Sequence, residues 1–115
     1  MPWKSERKYP RVKVAVSAEM QHPMENFLRR VQTANLGEGG CYIEMVQTLE
    51  PMATVDVVLW LDSEKVRARA EVVCTHPHVG NGIRFVRMHD GDREKLKKFL
   101  EAAQKTHGLA TPKKR

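Results

Sequence analysis

Aromatic residues are thinly supplied in this chain of 115 residues, at 6% and scattered, which argues against a surface that stacks several nucleic-acid bases. Cysteine is scarcer still. Cys41 and Cys74 are too few for a disulfide framework and read as buried core thiols in a reducing compartment. No apolar run approaches the ~18 residues of a spanning helix, so no membrane insertion is expected. The opening MPWKSERKYPR carries charge but no apolar centre, so a secretory signal is not expected either and the default address is cytoplasmic. Acidic side chains fall short of basic ones, 14 against 20, and the net charge of +6 favours an anionic partner. Part of that excess lies in the closing TPKKR, within residues 105–115, which read as a flexible basic tail.

Signatures of catalysis are missing as well. The chain contains no G-x-S-x-G, no H-E-x-x-H and no P-loop, so it is read as a non-enzyme without catalytic residues. One grouping invites a metal reading: Cys74, His76 and His78 recur at every second residue and on a straight strand would share a face, as zinc ligands can. Pro77 between the histidines and the turn-like HPHVGNG argue instead for a core cysteine followed by two exposed loop histidines. No metal is expected.

What is present is alternation. With 41% hydrophobic and 30% charged residues and a length that fits one domain, the chain has the makings of a single modest core. In VKVAVSAEM (12–20), Val12, Val14, Val16, Ala18 and Met20 fall on one face, the period of a half-buried strand. TVDVVLWLD (54–62) and KVRARAEVVCTH (65–76) repeat the pattern, with Val66, Ala68, Ala70, Val72 and Cys74 inward and Arg67, Arg69 and Glu71 outward as solvated charge. The connection between them is of hairpin length. FLRRVQTAN (27–35), CYIEM (41–45) and GIRFVRM (82–88) are rich in β-branched and aromatic residues and complete about six strands. The period then changes: in DGDREKLKKFLEAAQK, Leu96, Phe99, Leu100 and Ala103 form a helical stripe, with Asp90 or Asp92 as N-cap. The expected fold is mainly β, a small six-stranded antiparallel β-barrel with one C-terminal α-helix. Residues 1–11 are expected to form a mobile basic arm, and residues 12–104 the barrel and helix.

Two stretches fall outside this scheme. In RKYPR, Arg7 and Arg11 stand four apart on a segment that Pro10 biases toward extended backbone. Guanidinium forks suit phosphate and the O6/N7 edge of guanine, and they also stack on bases; the alternative is a flexible basic terminus. The second stretch is NLGEGG (35–40), where glycines weaken strands on either side.

RKYPR before a strand, N-x-x-x-x-G leading into a strand, and GNGIRF ahead of a closing helix together resemble the PilZ-domain family. Its members are bacterial cyclic di-GMP receptors, folded as a six-stranded β-barrel with a C-terminal helix. The resemblance covers roughly residues 5–104 and rests on the signatures R-x-x-x-R and (D/N)-x-S-x-x-G, in this order. It implies that Arg7, Lys8 and Arg11 belong to the ligand-binding arm, the two arginines stacking on the dinucleotide and forking to its guanine and phosphate. It places Asn35 at the guanine Watson–Crick edge and Gly40 where the backbone approaches the ligand. Gly37 occupies the serine position of the motif, and the missing hydroxyl is worth about 0.5–1.5 kcal/mol, a roughly three- to tenfold weakening. In GNGIRF, Gly82 is either near the ligand or part of a tight turn from Gly80. Tyr9 is expected to pack at the barrel mouth and Trp3 to be partly ordered only with the arm, the alternative being that either ring stacks on a guanine.

The function so implied is a cyclic di-GMP-binding receptor and adaptor that changes its surface on binding and signals in trans to a protein partner, with cyclic di-GMP as ligand and no cofactor. A degenerate member that binds proteins without nucleotide is the alternative. A basic barrel for single-stranded nucleic acid is less favoured.

Overall fold

Alternation becomes seven strands and a helix in the computed structural model, which describes residues 10–107. The strands are β1 (Arg11–Val12), β2 (Ser17–Gln21), β3 (Arg29–Gly37), β4 (Gly40–Glu44), β5 (Thr54–Leu61), β6 (Glu64–His76) and β7 (Gly80–Arg87), followed by α1 (Asp90–His107). β3 pairs with both β2 and β4, β4 with β7, β7 with β6, β6 with β5, and β5 with β2, so six antiparallel strands close into a ring. Closure leaves no edge in the barrel wall. The expected six-stranded barrel with a C-terminal helix is therefore observed.

The core fills from the inward half of each alternation. Val55, Val57, Leu59 and Leu61 of β5 face Val66, Ala68, Ala70 and Val72 of β6, all buried, with Met20, Leu36, Ile43 and Ile83 completing the interior. The β5–β6 hairpin turns on two residues, Asp62 and Ser63, with Asp62 at φ 55°. α1 lays Leu96, Leu100 and Ala103 against this core, with Phe99 half-buried, in contact with β6 and β1. Asp90 is the first residue of the helix and so does not precede it as a cap. Asp92 instead accepts a hydrogen bond from the Arg67 backbone N–H at 3.2 Å, tying the first helical turn to β6.

The stretch 12–20 departs from expectation by breaking in two. Its cause is Thr33, 2% exposed, which lies opposite the break. The Thr33 hydroxyl donates to the Val14 carbonyl at 2.7 Å and accepts from the Val16 N–H at 3.0 Å, taking the place of ladder partners. Val12 and Val16 still point inward, and β1 pairs separately with the far end of β3, Arg11 opposite Gly37 and Val12 opposite Leu36. Arg11, placed by the sequence at the end of a mobile arm, thus stands in the ladder.

Cys41 is buried as expected, but Cys74 is half-buried. A bulge between Val72 and Cys74 shifts the register so that Cys74 lies opposite Gly82, off the inward series. The expected turn from Gly80 to Gly82 is also displaced. The turn is made by Pro77–Val79, with His78 at φ 66°, and Gly80 already belongs to β7. Between the two flanking glycines, Asn81 is fully buried and works as a clamp. Its Oδ1 accepts from the Leu49 N–H at 2.7 Å, while Nδ2 donates to the Leu49 carbonyl at 3.0 Å and to the Thr75 hydroxyl at 2.9 Å. One amide side chain so fixes the long β4–β5 connection over the end of the barrel remote from β1.

Candidate functional site

The short β1 strand determines where Arg11 points. Val12 is buried against the core, so its neighbour Arg11 projects from the outer wall, beside the position that a side chain at Gly37 would occupy. Asn35, two residues before Gly37 on β3, shares that face. The Arg11 guanidinium donates from Nη1 to Asn35 Oδ1 at 3.1 Å, a half-buried contact between residues 24 apart in the chain. Two positions singled out from separate motifs are therefore in contact. The Asn35 Nδ2 has no protein partner among the described residues, so an amide donor remains for a ligand. Arg7 and Lys8 lie outside the described residues, as do Tyr9 and Trp3.

Around this pair the wall is stripped of side chains. A Cβ on Gly37 would stand 2.8 Å from the Pro10 carbonyl oxygen and 3.0 Å from Arg11 Cγ. A Cβ on Gly40 would run into the Ile83 carbonyl oxygen. Both glycines are needed because strands or arm pass too close for any larger residue. Gly82 belongs to the same outer face: Asn35 pairs with Tyr42 and Tyr42 with Gly82, forming one row across three strands. A Cβ there would meet Cys74 Sγ at 2.7 Å.

Three residues of this region were not singled out from sequence for the site. Tyr42 lies between Asn35 and Gly82 in the row, and its hydroxyl is 2.9 Å from His76 Nδ1. Partial burial, followed by the negative charge that Cys74 and Glu44 can bear, holds its phenol above the ordinary value. Arg84 pairs across from Gly40 and donates to Glu71 at 2.7 Å. Beneath the row, complete burial pushes the Cys41 thiol up to about 12, against an opposing pull from the Arg11 charge. Cys41 is thus a neutral, unreactive thiol at physiological pH.

His76 faces Tyr42, and His78 is exposed in the turn. Among the described residues no group of three His, Cys, Asp or Glu stands close enough to hold a metal ion, and no helix is long and apolar enough to cross a membrane. What the assembled face offers is a guanidinium, an amide donor and bare backbone, which is the chemistry of a planar anionic ligand.

A family model for the PilZ domain matches residues 5–102, nearly the whole chain. The chain belongs to the PilZ domain family. Solved structures agree on the fold of this PilZ domain. It resembles the Bacillus subtilis inhibitor of motility MotI/DgrA at 15% identity and TM-score 0.73, over 87% of this chain and 52% of that one. The present chain thus spans about half the length of that protein. It also resembles the PilZ domain with c-di-GMP of YcgR from Escherichia coli at 12% identity and TM-score 0.69, over 90% and 98% of the two chains. For the PilZ domain of CeSA from a cellulose-synthesizing bacterium the values are 17% and 0.56, over 88% and 98%. A search of curated proteins returns no match.

Proposed function

We propose that this PilZ domain is a receptor for cyclic di-GMP that signals to a protein partner in trans and performs no chemistry on its ligand. The contact between Arg11 and Asn35, beside a floor kept bare by Gly37 and Gly40, carries this reading. In it, Arg11 stacks on or forks to the dinucleotide, and the Asn35 amide donates to a guanine edge. The segment before Pro10, bearing Arg7 and Lys8, closes over the ligand, and the altered surface is the signal. Family membership and the YcgR domain described with c-di-GMP support the choice of ligand.

Gly37 favours a second reading. The serine of the family signature is absent, and the chain at Pro10 fills the space that its Cβ would need. A domain that keeps the fold and the arm but binds only proteins would look the same here.

Thermal unfolding separates the two. A receptor is stabilised by several degrees at saturating cyclic di-GMP and not by GMP, because a ligand that binds only the folded state shifts the equilibrium by mass action. An unchanged unfolding temperature at saturating nucleotide would assign the domain to protein binding alone.

A further inference from the structure

The outer wall formed by β2, β5 and β6 carries a feature that the nucleotide site does not use. An open groove of about 560 Å³ runs across it, lined by Leu28, Val58, Trp60, Arg67, Arg87 and others. Cross-strand pairing sets the order: Trp60 lies opposite Lys65, Val58 opposite Arg67, Asp56 opposite Arg69, and Arg69 opposite Arg87. Trp60 is 40% exposed at one end of this series, with the Lys65 ammonium 5.1 Å from its ring centre. Leu28, 50% exposed, contributes a second apolar contact from the segment before β3.

The charges are unevenly matched. Lys65, Arg67, Arg69 and Arg87 face two carboxylates in the lining, Glu19 and Asp56. Asp56 is held by Arg69 at 3.0 Å, and Glu19 lies 4.0 Å from Arg30. Arg67 and Arg87 make no ion pair with any described residue. Trp60 and the aliphatic side chains supply apolar area, and the two unmatched guanidinium groups supply positive charge beside it. Aromatic and arginine residues are the usual energetic anchors of protein interfaces.

We infer that this groove is a docking surface for an acidic protein segment in which carboxylates alternate with aliphatic side chains. Carboxylates of the segment fork to Arg67 and Arg87, and an aliphatic residue packs on Trp60, Val58 and Leu28. Single-stranded nucleic acid fits less well. Its bases call for several stacking faces, and the lining offers the Trp60 indole with no Phe or Tyr beside it, only the smaller imidazole of His89. Glu19 and Asp56 would also repel an unbroken line of phosphates, whereas a spaced acidic segment can step over them. The groove meets the strands of the candidate site only at Arg87, the last residue of β7, and shares none of that site's residues, so the inference stands whether or not cyclic di-GMP is the ligand.

Trp60 is its own reporter. With Trp3→Phe in the full chain, Trp60 is the remaining tryptophan. A synthetic peptide alternating glutamate with leucine should change its emission saturably and should bind more weakly as salt is raised. A matched peptide with lysine for glutamate should leave the emission unchanged. Arg67→Glu together with Arg87→Glu should weaken the acidic peptide by tenfold or more with an unaltered circular dichroism spectrum, since both side chains are exposed. An unchanged Trp60 emission with the acidic peptide would overturn the assignment. So would equal binding of the lysine peptide, or tighter binding of oligothymidine than of the acidic peptide.

Discussion

Gly37 shows how one residue can serve fold and ligand chemistry in opposite directions. A serine there would restore the hydroxyl of the family signature, yet its Cβ would press on the Pro10 carbonyl, which is backbone and cannot rotate away. Either β1 moves or the β3 strand does. Gly37→Ser should therefore lower stability by about 1–3 kcal/mol, the range for overpacking a close contact. The urea midpoint at constant slope reads this change. A midpoint equal to or above that of the parent would mean that the arm yields without strain, and that Gly37 is not required by the close approach. Arg11 and Asn35 illustrate the complementary point. Each is an ordinary surface residue in isolation, and only the two-residue β1 ladder brings them to 3.1 Å.

The way elements meet explains why an uncharged amide, Asn81, is buried. The β4–β5 connection would otherwise leave the Leu49 N–H without a partner at a buried position, and Asn81 supplies the acceptor. Asn81→Ala should cost about 1–3 kcal/mol, the penalty for orphaning a buried polar group. A loss within the roughly 0.5 kcal/mol typical of surface changes would contradict the clamp. This residue also marks where sequence reading reaches its limit. The alternating stretches 54–61 and 64–76 were legible because period and burial are local properties. GNGIRF was read as a family segment or a turn, because a buried amide that meets Leu49, 32 residues away, leaves no local trace. The break after Val12 was hidden for the same reason, since Thr33 acts on Val16 across 17 residues. In the candidate site, Arg11, Asn35, Gly37 and Gly40 were named from motifs, and family resemblance did the joining that spacing alone could not. Tyr42 and Arg84 were passed over as members of strands, because their place beside Asn35 and Gly40 follows from register across three strands.

On the scale of the whole molecule, the closed barrel sets a pH limit through the thiol that it encloses. Cys41 moves from an ordinary value of 9.0 to about 12 because burial penalises the thiolate. The unfolded chain therefore releases this proton at lower pH than the folded one, and stability is lost as pH rises above 9.0 toward 12. Between pH 9 and pH 10 this group alone should remove about 1 kcal/mol. Urea titrations at the two pH values should show that loss in the parent and a smaller one in Cys41→Ala, whatever the overall stability of the variant. Equal losses in both would show that the thiol does not govern the alkaline limit. The same enclosure separates the two faces of the barrel, with the row from Asn35 to Gly82 on one side and the groove at Trp60 on another. On the proposed readings, neither ligand would then exclude the other.

Isothermal titration with cyclic di-GMP, run on the parent chain and on Arg11→Ala, bears most directly on the receptor reading. The expected result is a saturating isotherm for the parent and a loss of roughly ten- to hundredfold in the variant, the scale of a charge-assisted hydrogen bond. GMP should give no comparable heat. Binding that survives unchanged in Arg11→Ala, or no binding by the parent at saturating nucleotide, would contradict the receptor reading built on the contact between Arg11 and Asn35.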